Sequence, residues 1–288
     1  MKYYLSCWAC GLRYKSDFDM QICKSCGSVL EVVYSEKSSA TYSGSFWDLE
    51  GILPKGKYRH YFLGATPLLK HKNNAWLKLE MNNPTRSFKD RGSVVEVAKA
   101  LEYGYDQMVC ASTGNMALSI AYYAKLSGIK VNVFISRDAN RDKIEKIKKI
   151  GNTSIVRING DFNYALRHAE AYSKKHGVFL SGDYCYRKEG QRTIAYEIMS
   201  SKPSTHAIFI PIGNATLFSG MYKALREMKD ARKIKQIPKL IGVQAAGCMP
   251  IATAIQKNKN VEYTKPGTIA DAIAVGYPTF GWQAVEAI

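Results

Sequence analysis

From "GATPLLK" (64–70) onward, short apolar runs alternate with longer segments whose apolar residues recur at helical spacing. The short runs are "AWLKLE", "QMVCAS", "KVNVFIS", "SIVRIN", "GVFLS", "HAIFIPIG" and "KLIGVQA". They lack a clean apolar/polar alternation, so they read as strands buried on both faces. Between them lie amphipathic segments such as "VVEVAKALEYG", "MALSIAYYAKLSG", "FNYALRHAEAYSKKHG", "GQRTIAYEIMS" and "LFSGMYKALREMK". Strands alternating with helices predict an α/β architecture with parallel sheets. Upstream, the polar stretch "YSEKSSATYSGS" reads as a linker, and no internal repeat is visible.

Composition narrows the class. A chain of 288 residues has room for about two domains. The hydrophobic share of 46% suits globular cores. No apolar run approaches the ~18 residues needed to span a bilayer, and the N-terminal "MKYYLSCWACGLRY" has no signal-peptide core. A cytoplasmic protein without membrane partners is expected. The net charge of +17, from 41 basic and 24 acidic residues, raises nucleic acid as a partner. The basic residues are scattered, however. The densest run, "RDKIEKIKK", mixes in acids at helical spacing and reads as a solvated helix face. Nucleic-acid binding is therefore disfavoured.

Four of the seven cysteines lie within the first 26 residues. Cys7, Cys10, Cys23 and Cys26 form two "CxxCG" knuckles, in which two intervening residues let both sulfurs wrap one ion and the glycine relieves the tight turn. Four thiolates make a closed tetrahedral site, which favours structural zinc over catalysis; a rubredoxin-like iron site uses the same ligands. Cys110, Cys185 and Cys248 have no sequence partners and are expected to be buried apolar residues.

In parallel α/β folds, function clusters where strands end and helices begin. Three junctions stand out: Glu80 to Lys89, Ser112 to Asn115 ("STGN"), and Gly213 to Gly220 ("GNATLFSG"). Helix N-termini after such turns offer backbone N–H groups to anions, which makes "GNAT" a candidate phosphate cradle. The first junction, "NNPTRSFKDRGS", puts Lys89 in the first turn of a helix, at the positive end of its dipole. A desolvated amine there is more easily neutral and nucleophilic.

Taken in order, "GATPLL", "KLEMNNPTRSFKDRG", "STGNMALS", "YRKEGQRTIAYEI", "IPIGNATLFSGMYKAL" and "GVQAAGCMPI" resemble the threonine synthase family of fold type II pyridoxal-phosphate (PLP) enzymes, over nearly the whole chain. The N-terminal cysteines resemble the ribbon of many threonine synthases. The resemblance implies a tryptophan synthase β-like α/β fold with two parallel-sheet domains behind a small four-cysteine zinc ribbon. It divides the chain into the ribbon (1–34), a linker (35–46), a large PLP domain (47–94 and 186–288) and a small α/β domain (95–185). It makes Lys89 the Schiff-base lysine and proton shuttle. Asn115 would bond the cofactor's 3′-oxygen, and Gly213, Asn214, Ala215, Thr216 and Leu217 its phosphate. Asp90 and Arg91, which also match the family motif, are expected to form a local ion pair at the helix start. The implied reaction converts O-phosphohomoserine and water to threonine and phosphate; a homodimer is expected.

Several positions depart from the family pattern. Family members bind the substrate phosphate with a threonine after the "SGN" asparagine and with an Asn-Ser pair before "PYR"; here Met116, Ser181 and Gly182 stand there. Of that set Arg187 remains. Arg86 stands where glycine is usual, and a guanidinium suits phosphate. Arg86, Ser112, Thr113 and Arg187 are thus candidate substrate ligands, with Arg86 and Arg187 expected to replace the lost set. Family members also continue beyond "GYPTFGWQAVEAI" through elements that include the residue facing the pyridine nitrogen, so the chain is expected to be a fragment or a short form. These departures keep open a related fold type II enzyme (cysteate synthase, a phosphoserine sulfhydrylase or a threonine/serine dehydratase) and a catalytically impaired regulatory paralogue.

Overall fold

The computed structural model describes residues 2–17, 21–36, 40–112, 114–137, 141–160 and 162–288, with backbone alone at 141–143 and 162–163. Packing divides the chain into two compact units: Met1–Glu36 with Leu53–Gly190, and Lys37–Ile52 with Gln191–Ile288. The cysteine module and residues 53–94 thus pack in one unit with the segment 95–185.

The first unit begins with β1 (Tyr3–Cys7), β2 (Arg13–Lys15) and β3 (Leu30–Tyr34), an antiparallel sheet in the order β2-β1-β3. Tyr3, Leu5 and Cys7 alternate inward along β1. A hairpin follows, β4 (Leu68–Lys70) with β5 (Trp76–Lys78). Then come α1 (Lys89–Glu102), β6 (Gln107–Ala111), α2 (Asn115–Leu126), β7 (Lys130–Ser136), α3 (Arg141–Ile150), β8 (Thr153–Ile158), α4 (Phe162–His176), β9 (Phe179–Ser181) and α5 (Cys185–Gln191). The strands form one parallel sheet in the order β8-β7-β6-β9. The strands and helices expected from periodicity are all present here. α4 lies against the sheet through Ala165 and Ala169, which meet Val109, Ala111, Phe134 and Val178. Each large side chain so buried contributes about 1.5–3 kcal/mol.

The cysteine module is fastened to this unit by buried polar groups. Lys99 of α1 is fully buried, donating to the Tyr3 hydroxyl (2.7 Å) and the Lys55 carbonyl (3.0 Å) and pairing with Glu102. The Tyr3, Tyr103 and Tyr186 rings surround its ammonium at 4.3–5.3 Å, a cation–π cage. Burial pulls the Lys99 amine below its ordinary range. On α5, Lys188 pairs with Glu31, and Glu189 accepts from the Tyr34 hydroxyl (2.6 Å). Gln21 donates to the Leu180 carbonyl (2.6 Å).

The second unit contains α6 (Thr193–Ser201), β10 (Ala207–Pro211), α7 (Thr216–Asp230), β11 (Lys239–Val243), α8 (Pro250–Lys257) and α9 (Gly281–Ala287). β10 and β11 pair in parallel. The expectation of strands buried on both faces fails here, as it does for β5, where Trp76 and Leu77 are exposed, and for β8, none of whose residues is buried. Ile210 is buried, but Phe209 is 68% exposed, and its cross-strand partner Ile241 and the nearby Val243 are also exposed. α7 lies against the pair, where Ile212 and Phe218 press on Gly242 so closely that a Cβ would overlap Ile212. No helix among the described residues is long and apolar enough to cross a membrane. Cys110, Cys185 and Cys248 are buried, as expected.

Candidate active site

Lys89 opens α1, as the turn "NNPTRSF" predicts. The preceding loop is built by the chain itself. Asp90, fully buried, accepts the Thr85 N–H (2.8 Å), the Thr85 hydroxyl and the Ser119 hydroxyl (2.6 Å). Burial pushes its carboxyl above the ordinary range despite these bonds. Arg91 does not pair with Asp90. Its guanidinium forms a two-pronged bond to Glu80, at 2.7 Å for both nitrogens, which ties the helix to the end of the β5 segment. The expected local pair is corrected accordingly: adjacent helical residues point to different sides of the cylinder and cannot reach each other.

Glycines allow α5 to cross α1 closely. A Cβ on Gly92 would stand 2.6 Å from the Arg187 Cγ, and one on Gly190 would overlap the Arg91 carbonyl. Across this crossing Arg187 is fully buried. Its Nε donates to the Gly182 carbonyl (2.9 Å), Nη1 to the Lys89 carbonyl (3.3 Å) and the Ser93 hydroxyl (3.3 Å), and Nη2 pairs with Glu96. Glu96 also accepts the Ser181 hydroxyl and the Gly182 N–H, each at 2.9 Å. Burial outweighs these partners and pushes its carboxyl up to about 6. All three guanidinium nitrogens are thus engaged by groups of the protein itself. Arg187, expected as a phosphate ligand, is here the clamp that holds Lys89, Ser93, Glu96 and Gly182 together. Ser181 and Gly182 are consumed in the same clamp.

The clamp sits where β6 and β9 end. These strands are neighbours, with Cys110 opposite Ser181, so their C-terminal turns lie side by side. Ser112 is half-buried and accepts the Gly114 N–H (3.2 Å); Asn115 is exposed as the first residue of α2; Met116 is buried. Thr113 lies outside the described residues. From the β9 turn Asp183 reaches the Lys89 amine: Nζ to Oδ1 is 3.3 Å, with the lysine side chain 19% and the aspartate 9% exposed. Neither Asp183 nor Glu96 is among the residues expected from sequence. Glu96 had a signal, a lone acid in the apolar run "SVVEVA" at helical spacing from Lys89. Asp183 had none beyond its place in a segment that departs from the family pattern.

Arg86 is exposed, and its φ is +64°, in the left-handed region glycine favours. The loop keeps a glycine-type backbone while carrying an arginine.

In the second unit, the turn Gly213–Leu217 joins β10 to α7. Asn214 anchors it, accepting at its carbonyl from the Phe280 N–H (3.0 Å) and at its side chain from Thr279. Ala215 has φ +62° directly before the 15-residue α7, a backbone shape that turns successive N–H groups inward. One turn on, the buried Ser219 hydroxyl has no partner among the described residues. A helix N-terminus, an inward-curled turn and an orphaned hydroxyl fit a phosphate. The lysine of the first unit, reachable and held at its carbonyl, fits an aldehyde.

The four-cysteine cluster is also assembled. The sulfurs of Cys7, Cys10, Cys23 and Cys26 lie within 4.8 Å of one another, with Cys7–Cys26 at 3.4 Å and Cys10–Cys23 at 3.7 Å. Tetrahedral thiolate ligation at ~2.3 Å spaces sulfurs by about 3.8 Å, so the set fits a metal ion. Gly11 and Gly27 have φ of +71° and +72°, the turn-relieving role expected of the knuckle glycines.

Comparison with known proteins agrees with this geometry. The pyridoxal-phosphate dependent enzyme family matches residues 60–288. A threonine synthase of Methanosarcina acetivorans is 33% identical over 99% of this chain and 76% of its own length, and one of Methanocaldococcus jannaschii is 32% identical over 98% and 76%. A Halalkalibacterium halodurans threonine synthase is 36% identical over 78% of this chain, which spans 64% of that relative's length. Among solved structures, threonine deaminase isoform 2 of Solanum lycopersicum superposes with a TM-score of 0.66 at 24% identity, covering 76% of this chain and 66% of that one; maize serine racemase gives 0.67. These two share the fold. With a lysine-bearing helix start, a phosphate-shaped turn and a family match over most of its length, the chain belongs to the pyridoxal-phosphate-dependent enzymes and has threonine synthases as relatives.

Proposed function

We propose that the chain is a PLP-dependent lyase with threonine synthase chemistry, taking O-phosphohomoserine and water to threonine and phosphate. The carrying observation is the Lys89 amine, stationed beside the paired strand ends and fixed at its carbonyl by Arg187. Lys89 would hold the cofactor's aldehyde, the Gly213–Leu217 turn its phosphate, and Asn115 its ring oxygen. When bound, the cofactor supplies an electron sink for charge developing on substrate carbons. With its amine free, Lys89 would move protons at the substrate's Cα and the neighbouring carbons. Phosphate leaves from Cγ and water adds at Cβ. With Arg187 buried, Arg86 becomes the candidate phosphate ligand of the lysine loop; Ser112 and Thr113 complete the proposed substrate set. Cys7, Cys10, Cys23 and Cys26 would hold a structural zinc.

A second reading is a related lyase acting on an unphosphorylated hydroxy amino acid. The engagement of Arg187, Ser181 and Gly182 by Glu96 favours it, because those groups are withdrawn from any anion. The test is a yellow, lysine-linked absorption band after reconstitution, lost in Lys89→Ala, followed by a substrate panel. Phosphate and threonine from O-phosphohomoserine support the first reading. Pyruvate or 2-oxobutyrate from serine or threonine supports the second. Colourless protein that turns over neither substrate overturns both. Elemental analysis distinguishes zinc from iron, and light scattering tests for a homodimer.

A further inference from the structure

Asp183 has no role in the proposed chemistry, yet its placement is among the most constrained in the first unit. The residue before it is held from both sides: the Gly182 N–H donates to Glu96, and its carbonyl accepts from Arg187. Gly182 also lies so close to the Tyr184 ring that a Cβ would stand 2.7 Å from it. Tyr184 is tied in turn to Glu170 by its hydroxyl (2.9 Å). The turn therefore places the Asp183 carboxylate within reach of Lys89 Nζ, at 3.3 Å. The same guanidinium that holds Gly182 holds the Lys89 carbonyl, so both partners are mounted on Arg187. Four charged groups meet here. Glu96 and Arg187, both fully buried, pair with each other, and Asp183 pairs with the Lys89 amine.

We propose that Asp183 is the positioning residue of Lys89. Its carboxylate holds the amine in the unloaded protein, and holds it again, with its proton, whenever the lysine is free of the cofactor. The inference rests on Lys89 being the cofactor lysine. A lysine has four flexible side-chain bonds, and a free amine would otherwise sample solvent. When Lys89 Nζ takes a proton from substrate carbon, the resulting ammonium is received by a carboxylate already in place. Carbon loses the proton, nitrogen gains it, and Asp183 accepts the hydrogen bond without itself changing protonation. The same contact opposes loading, because an amine bonded to a carboxylate is withheld from an aldehyde.

Opposite effects on loading and turnover follow for Asp183→Asn, and a merely structural defect would lower both. In apoprotein treated with a limiting acylating reagent at neutral pH, Lys89 labelling by peptide mass spectrometry should rise about tenfold, with other lysines as internal standards. On mixing with PLP the absorption band should form several-fold faster, while turnover falls about tenfold. Asp183→Glu should restore both toward wild type. Unchanged Lys89 labelling in a folded Asp183→Asn, or in Asp183→Ser if the first variant does not fold, overturns the proposal. So does a fall in loading and turnover together. If the wild-type protein takes up no PLP, the lyase reading falls, and the acylation result alone decides the role of Asp183.

Discussion

The Arg187 guanidinium donates to the backbone carbonyl of Lys89 across a helix crossing 98 residues apart in sequence. An arginine expected to meet the substrate thus holds the backbone of the lysine expected to carry the cofactor. Its ion pair with Glu96 has no exposure on either side.

Removing one member of a buried pair leaves the other charge without a partner. Arg187→Ala should cost about 3–5 kcal/mol in urea unfolding. Glu96→Gln reports the same pair through pH. The folded protein binds the Glu96 proton more tightly than the ordinary value of 4.5, with burial pushing the carboxyl up to about 6. The contribution of Glu96 to stability therefore falls as pH rises from 4.5 through 6. Between pH 4.5 and 7, wild type should lose about 2 kcal/mol relative to Glu96→Gln. An unchanged difference between the two unfolding curves would count against this ionisation.

Gly92 and Gly190 make the crossing possible. Gly92→Ala pushes on the Arg187 side chain, and Gly190→Ala on backbone. Both should destabilise, Gly190→Ala more severely and by more than about 3 kcal/mol, because backbone cannot swing aside. Thermal melts of the soluble fraction give the ranking.

Arg86 holds a left-handed backbone at φ +64°. Arg86→Gly should stabilise the protein by about 1 kcal/mol, read as a higher urea midpoint. If Arg86 binds substrate phosphate, the same variant should lose about tenfold or more in kcat/KM for O-phosphohomoserine. Stability gained with activity unchanged would leave the arginine without a role in binding.

The four-cysteine module fastens to α5 through Lys188–Glu31 and Glu189–Tyr34, and α5 carries Arg187. Cys10→Ser with Cys26→Ser alters the two exposed members of the proposed ligand set and should abolish metal binding. The melting temperature should then drop by several degrees, with faster amide exchange in β1, β3 and α5. Full metal content in the double variant would reject the ligand set.

Much of this protein was determined by its sequence. The alternation of apolar runs and amphipathic segments set the strands and helices, because each element must hide one face or both. Lys89 at a helix start, the "GNAT" turn before α7 and the paired "CxxCG" knuckles are local patterns, and local backbone geometry places them. The tertiary structure decided which charges meet. Glu96 meets Arg187, and Asp183 meets Lys89, because β9 lies beside β6 and because Gly92 and Gly190 let two helices touch. It also decided that Phe209 and Ile241, cross-strand partners on one face of the β10–β11 pair, are exposed among the described residues. Partners some 90 residues apart are chosen by strand order and helix crossing, and no spacing along the chain encodes either.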